Sequence, residues 1–466
     1  MAEDEFDVIV MGAGPAGENA AGRAADHGLT VAIVERELVG GECSYWGCIP
    51  SKTLLRPGDV IAATRRVPGA AEAVTGPIDT EAAFRRRDYM TSGWDDAGQE
   101  PWLQGKGITL VRGHARLDGE RRVRVADSDG AHRTLTARRA VVLATGTTAF
   151  IPPIPGLAEA RPWDNRGATA ATTVPERLAV LGGGAVGVEM AQAFRRLGSS
   201  QVTVVEAADR LLAREEPFAG ADVANAFEAE GIGVITGVPV TQVDRSGDGG
   251  PVRAVLGDGR HLEADELLVA VGRRPRTGDV GVESVGLEPG RPVEVDDRLR
   301  AVGVAGGWLY AVGDVNGRAL LTHMGKYQAR IAGDVIAGRD ARDVASADIV
   351  PRVTFTDPQV CAVGLTEAQA RQHYADVRTV SCGTGDVAGA YTQGDGITGT
   401  SFLVVDAARD VVVGATFTGP GVAELLHSAT VAIAGGVPLP RLWHAVPAFP
   451  TISEVWLRLL ETDADR

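Results

Sequence analysis

The feature that most limits how this chain can fold is a pattern written twice. An apolar run, Phe6 to Val10, leads into Gly12-x-Gly14-x-x-Gly17 and an alanine-rich helix, and a second run, Thr30 to Val34, closes at Glu35. Leu178 to Leu181 leads likewise into Gly182-x-Gly184-x-x-Gly187, a helix over Val188 to Leu197, and a run from Gln201 to Val205 closing at Glu206. Each copy reads as strand, tight turn, helix and second strand. The first glycine permits the sharp turn, the second lets a pyrophosphate approach the backbone, and the third lets helix and strand pack closely. The helix N-terminus offers free N–H groups and the positive end of its dipole. The glutamate closing the second strand is placed to accept hydrogen bonds from a ribose diol. One such motif is weak evidence; two in matching contexts imply two dinucleotides, a bound flavin (FAD) and a diffusing nicotinamide. Glu206 would bond a free 2′-hydroxyl and repel a 2′-phosphate, which favours NADH. Arg210 nearby keeps NADPH as the less favoured alternative.

The rest of the chain fits a multidomain enzyme. At 466 residues it calls for two to four compact units, and 44% apolar with 23% charged residues is the composition of a globular protein with a large core. A net charge of −15 argues against a nucleic-acid-binding surface. The cluster Arg85-Arg86-Arg87 reads as a solvated helix face. No apolar stretch is long enough to cross a bilayer. The acidic start, Ala2-Glu3-Asp4-Glu5, is wrong for a secretory or transit peptide, so a cytoplasmic protein is expected. Val141 to Gly146 and Leu267 to Gly272 read as strands ending in glycine, and Ile151-Pro152-Pro153-Ile154-Pro155-Gly156 as a domain crossing. Leu309 to Asp314 reads as a further strand and Arg330 to Gly338 as helix. From about Ile349, strands at Arg352 to Phe355, Ser401 to Val405 and Val411 to Thr416 mix with helices, an α+β pattern.

Four cysteines are too few to staple a chain of this size. Cys361 and Cys382 stand alone, whereas Cys43 and Cys48 form a close pair within Gly40-Gly41-Glu42-Cys43-Ser44-Tyr45-Trp46-Gly47-Cys48-Ile49-Pro50-Ser51-Lys52. With no Cys or His ligands nearby to complete a zinc site, redox chemistry is favoured and no metal site is expected.

Cys-x4-Cys-x3-Lys following one glycine fingerprint and preceding another resembles the class I pyridine nucleotide-disulfide oxidoreductases: dihydrolipoamide dehydrogenase, glutathione reductase, mycothione reductase and mercuric reductase. The resemblance covers essentially the whole chain, in the family's motif order. It implies an α/β fold with two nucleotide-binding Rossmann-like domains, for FAD and NAD, and a C-terminal α+β dimerisation domain. The expected boundaries are 1–155 and 278–347 for the FAD domain, 156–277 for the NAD(P) domain and 348–466 for the interface domain. Cys48 would be the flavin-side thiolate and Cys43 the interchange thiol. Lys52 would sit near flavin N5, paired with Glu189, favouring the negative charge of reduced flavin. Gly113-His114-Ala115 is similar to the family's adenine-contacting segment, and Thr145-Gly146 to its second FAD contact. Asp314 would bind the ribityl chain, and the helix start Leu321-Thr322-His323 would face the flavin pyrimidine edge. Gly272-Arg273-Arg274-Pro275 resembles the second nicotinamide-side motif. A homodimer with a small-molecule substrate follows.

The chain departs from that family at one catalytic position. The disulfide reductases supply a His-Pro…Glu element whose histidine shuttles protons for the interchange thiol; here the stretch is Phe449-Pro450-Thr451-Ile452-Ser453-Glu454, with glutamate present and phenylalanine for histidine. His444 is a possible substitute, against the plainer reading of a packed or partly exposed side chain. Releasing an alkyl thiolate of high pKa without an acid is slow, so a small disulfide other than lipoamide is the expected substrate. Mercuric reductases share Phe-Pro here, but their C-terminal cysteine pair has no counterpart in Thr462-Asp463-Ala464-Asp465-Arg466. Direct reduction of a quinone or metal ion by flavin is the alternative, and an inactive structural or regulatory relative a further one, which the intact cysteine pair opposes. Tyr45 and Trp46, bulkier than usual for a dihydrolipoamide dehydrogenase, either fill the dimer interface or shape the substrate mouth.

Overall fold

The computed structural model describes residues 4–247 and 249–465; Ala2 and Glu3 of the acidic start, and the terminal Arg466, lie outside them. The chain gathers into two compact units. One comprises Met1–Pro50, Asp88–Phe150 and Gly272–Ala347, the other Ser51–Arg87, Ile151–Val271 and Asp348–Arg466.

The first unit is built on a sheet whose order is Ile108–Arg112, Val31–Glu35, Asp4–Met11, His132–Leu143, Arg122–Ala126, His114–Leu117, with Leu309–Ala311 also pairing with His132–Leu143. Its central strands run parallel. Val8, Ile9, Val10 and Met11 are all 0% exposed, as an unbroken apolar run is when a central parallel strand is covered on both faces. Helix Pro15–Asp26 packs against helix Thr322–Ile336 through small residues. A Cβ on Gly325 would lie 3.3 Å from both the Ala16 methyl and the Gly313 Cα. That close fit brings two helix N-termini side by side. A short ladder, Thr147–Ala149 against Arg273–Pro275, flanks them.

The second unit holds a parallel sheet, ordered Ile232–Thr236, Gln201–Glu206, Arg177–Leu181, Glu266–Val269, and an antiparallel meander, Val240–Arg245, Val252–Leu256, His261–Ala264. It also contains the C-terminal five-stranded antiparallel sheet, ordered Arg352–Thr354, Gln359–Gly364, Val411–Gly419, Thr400–Asp406, Val377–Gly383, covered by helix Val422–Ala434 and by Val455–Ala464. The α/β class with two nucleotide-binding folds and an α+β C-terminal segment is therefore as expected.

Three sequence readings change. Arg87 is 1% exposed rather than solvated; it donates to the carbonyls of Thr169 and Ala171 at 2.5 and 2.9 Å, whereas Arg85 and Arg86 do face solvent. The strand expected to run to Asp314 stops at Ala311 and gives way to a 3₁₀ turn, Gly313–Asn316, because Gly313 turns left-handed (φ 75°). The later helix begins at Thr322 and ends at Ile336. No helix among the described residues is long and apolar enough to cross a membrane.

Candidate active site

The two glycine turns have the same geometry. Gly12 and Gly182 both have φ 104°, and a Cβ on either would lie 2.5 Å from a carbonyl oxygen, that of Ala144 or Ala270. A Cβ on Gly17 or Gly187 would lie 1.9 Å from the oxygen of Gly12 or Gly182. At the middle glycines there is room: a Cβ on Gly14 meets only the Gly41 Cα, at 3.9 Å, and one on Gly184 meets nothing within 4 Å. Neither helix that follows has a side-chain cap. Glu35 Oε2 accepts the Ala13 N–H (2.7 Å) and its Oε1 the Glu37 N–H (2.8 Å). Glu206 repeats this with Gly183 (2.6 Å) and Ala208 (2.7 Å). A carboxylate has about four acceptor sites, so each is fixed in place with acceptors left over for hydroxyls.

The cysteines follow directly. Gly40 and Gly41 (φ 112° and 58°) turn the chain into a five-residue helical segment, Gly41–Tyr45, which carries Cys43. Gly47 lets the backbone double back: a Cβ there would sit 3.0 Å from the Glu42 oxygen and 3.4 Å from the Cys43 Cα. Helix Cys48–Arg65 then starts with the second cysteine. Both are free thiols, half-buried. Their mutual hydrogen bond, with burial second, pushes the Cys43 thiol well above the ordinary cysteine range. Cys48 Sγ lies 3.4 Å from the Thr322 hydroxyl at the uncapped start of helix Thr322–Ile336, which is also where His323 stands. Tyr45 is not at a substrate mouth. It is 3% exposed, its hydroxyl donates to the Asp95 carbonyl at 3.5 Å, and its own carbonyl accepts the Trp94 indole N–H at 3.2 Å. Trp46 is half-buried beside it, ring centroids 5.7 Å apart.

The first unit also holds other expected residues. Thr147 Oγ1 donates to Asp314 Oδ2 at 2.7 Å; burial raises the Asp314 carboxyl, opposed by Thr147 and Arg273 and reinforced by Glu42. Thr145 carries a buried hydroxyl with no hydrogen-bond partner. Gly146 (φ 70°) and Gly272 (φ 140°) have open space where a side chain would be. Ala115 is buried on strand His114–Leu117. In the second unit, Lys52 Nζ donates to Glu189 Oε2 at 2.7 Å, and Glu189 Oε1 accepts the Phe355 N–H at 2.9 Å. Glu189 is 4% exposed at its side chain and Lys52 35%; the ammonium also stands 4.9 Å from the Phe355 ring centre.

The family models settle what this assembly belongs to. Residues 6–329 match the pyridine nucleotide-disulphide oxidoreductase model and residues 350–459 that family's dimerisation domain. The chain is a pyridine nucleotide-disulphide oxidoreductase. It is 34% identical to dihydrolipoyl dehydrogenase 3 of Pseudomonas aeruginosa, over 97% of this chain and 96% of that one. It is 30% identical to a mercuric reductase of Staphylococcus aureus, over 97% and 81%. The HOCl-induced flavoprotein disulfide reductase RclA from Escherichia coli superposes with a TM-score of 0.85 at 26% identity, over 98% of this chain and 99% of that one. As in that family, this oxidoreductase is an FAD-dependent enzyme that uses a pyridine nucleotide. The uncapped helix starts, the clear ledge at Gly14 and the orphan Thr145 hydroxyl fit such a group.

The C-terminal stretch of this pyridine nucleotide-disulphide oxidoreductase carries the phenylalanine noted above. Phe449 is 76% exposed. His444 is exposed too, and among the described residues its imidazole makes no hydrogen bond. Glu454 is not idle: its Oε2 accepts the N–H groups of Thr451 (3.2 Å) and Gly389 (2.9 Å), capping its own turn and pinning the neighbouring helix. Sequence reasoning missed Thr147, the contact of Thr322 with Cys48 and the ion pairs of Glu42, whose partners lie far along the chain.

Proposed function

We propose that this oxidoreductase takes electrons from NADH and delivers them through Cys43 and Cys48 to a small disulfide other than lipoamide. The observation that carries this reading is a complete thiol pair beside two uncapped helix starts, with phenylalanine where a proton shuttle would stand. Bound FAD would supply hydride acceptance from the nicotinamide and electron delivery to the disulfide. Gly12, Gly14, Gly17, Glu35, Ala115, Thr145, Gly146, Asp314 and His323 would hold FAD, within residues 1–155 and 278–347. Gly182, Gly184, Gly187, Glu206 and Gly272 would hold NADH, chiefly within 156–277. Residues 348–466 would form the homodimer interface. Lys52, oriented by Glu189, offers positive charge toward developing flavin anion. Cys48 would carry the flavin-side thiolate, as the resemblance implies, and Thr322 is in reach to donate to it.

The exposed Phe449 also favours a second reading, electron delivery to a metal ion or quinone, acceptors that need no proton at a leaving thiolate. Mercuric reductases among the relatives, and RclA solved as a Cu(II) complex, are in keeping with it. The test is an anaerobic NADH-coupled screen of disulfides, quinones and Cu(II) or Hg(II), wild type against Cys43→Ser. Disulfide turnover lost in Cys43→Ser with quinone turnover retained supports the first reading. Cys48→Ser should abolish the long-wavelength charge-transfer band, and Cys43→Ser should make it permanent in the oxidised enzyme. Swapped phenotypes would reverse the roles.

A further inference from the structure

We propose that Glu42 is a positioning residue that fixes the reach of Cys43 toward Cys48. Glu42 is the only charged side chain between Gly40 and Pro50 and immediately precedes Cys43. Its Oε1 accepts Arg276 Nη2 at 3.2 Å, and its Oε2 faces Arg273 Nη2 at 3.5 Å. All three side chains are largely shielded, between 19% and 24% exposed. The arginines are themselves anchored. Arg273 Nε donates to Thr147 Oγ1 at 2.7 Å and its Nη2 to the Thr147 carbonyl at 3.0 Å. The Arg276 N–H donates to the Gly146 carbonyl at 2.9 Å. Thr147 is also the donor to Asp314. A rigid ladder thus grips the cysteine turn by one carboxylate.

The turn requires such a grip. A five-residue helical segment has too few internal hydrogen bonds to hold itself, and Gly40, Gly41 and Gly47 on either side of it are the least restrained backbone. A disulfide needs its Cβ atoms about 3.5–4.5 Å apart. A turn free to swing on its glycines spends less time at that separation, so ring closure weakens.

The proposal rests on Cys43 and Cys48 being the redox pair, and its test separates the two claims. Holoenzyme is equilibrated anaerobically with reduced and oxidised glutathione, thiols are trapped by alkylation, and the Cys43–Cys48 disulfide is counted by peptide mass spectrometry. In the reaction, the two enzyme thiols form one S–S bond as the glutathione S–S bond breaks, and their two protons pass to the two glutathione thiols. Glu42→Ala should lower the equilibrium constant for disulfide formation about tenfold, a rise in reduction potential of about 30 mV. Arg276→Ala should act in the same direction and add little in the Glu42→Ala background. Glu42→Gln, which keeps an acceptor for Arg276, should recover part of the loss and serves if the alanine variant does not fold. An unchanged constant in Glu42→Ala or Arg276→Ala, or additive effects of Glu42 and Arg276, overturns the positioning role. A merely structural role would lower the melting temperature and leave the constant unmoved. If wild type forms no Cys43–Cys48 disulfide at any ratio, the redox pair itself is refuted.

Discussion

Replacing Glu206 by alanine should collapse the discrimination between NADH and NADPH. The carboxylate ends strand Gln201–Glu206 and is held at both oxygens, by the Gly183 N–H at 2.6 Å and the Ala208 N–H at 2.7 Å, so it cannot swing away from an incoming group. Toward a ribose it accepts hydroxyl donors, and hydrogen bonds to a charged partner contribute about 1.5–3 kcal/mol. A 2′-phosphate would bring about −1.5 to −2 charges instead. Two unit charges about 4 Å apart repel by about 4 kcal/mol at an effective dielectric near 20. Arg210 offsets part of this, but its guanidinium donates to the Ala213 carbonyl at 3.0 Å and pairs with Asp209 at 3.4 Å. A remaining penalty of about 2–3 kcal/mol corresponds to a kcat/KM for NADPH about 30- to 150-fold below that for NADH. In Glu206→Ala, NADPH should gain about 30- to 150-fold as that penalty is lifted while NADH loses the carboxylate's hydrogen bonds, so the preference for NADH should vanish or reverse. Anaerobic stopped-flow reduction of the flavin by each nucleotide isolates this half-reaction from the unknown oxidant, and a thermal melt controls for the two released N–H groups. A wild type that prefers NADPH, or an unchanged ratio in the variant, would refute the reasoning.

Three further outcomes are expected. Phe449→His should raise turnover of lipoamide-type disulfides at least tenfold more than that of quinones, since Glu454 Oε1 is left to orient an imidazole and a general acid is worth about 10² to 10⁴; equal gains for both substrates would discount a proton shuttle. Gly17→Ala, whose Cβ would lie 1.9 Å from the Gly12 oxygen, should yield protein without visible flavin absorbance, whereas Gly187→Ala should remain yellow but resist reduction by NADH. Burial pushes the Asp59 carboxyl up to about 6, opposed by Arg196 at 3.2 Å and reinforced by Asp357; the folded state therefore binds this proton more tightly than the unfolded one, and stability should fall as pH rises from about 4 to about 6. Melting temperatures of Asp59→Asn across that window should show a flatter slope.

Much of the fold and site was legible because local rules write them. Gly12, Gly17, Gly182 and Gly187 stand where any Cβ would strike a carbonyl, so their spacing alone carries the two nucleotide turns. Cys43 and Cys48 were legible as a pair from their spacing, and Lys52 with Glu189 only through the family resemblance. What escaped depends on chain segments far apart. Arg276 reaches Glu42 from 234 positions away, and Thr322 reaches Cys48 from 274; no periodicity encodes either. Tyr45 was read as filling the dimer interface or shaping the substrate mouth, and only the distant segment bearing Trp94 and Asp95 shows that it is buried within its own chain. Arg87 was misread because a run of three arginines looks alike whether or not its last member finds carbonyls to bind.

The two glycine turns, whose first glycines share φ 104°, differ in their roofs. Above Gly14 stands the Cα of Gly41, 3.9 Å from where a side chain would begin; above Gly184 there is nothing within 4 Å. Helices that begin without a side-chain cap leave N–H groups for a phosphate to satisfy, so each ligand completes its helix and stabilises the fold by mass action. Enclosure then sets the residence time. A phosphate held at Gly14 would lie beside the cysteine turn, whereas one at Gly184 would lie on an open ledge. A nucleotide at the first motif would be the harder of the two to release, which suits a resident FAD there and an exchanging nicotinamide at the second.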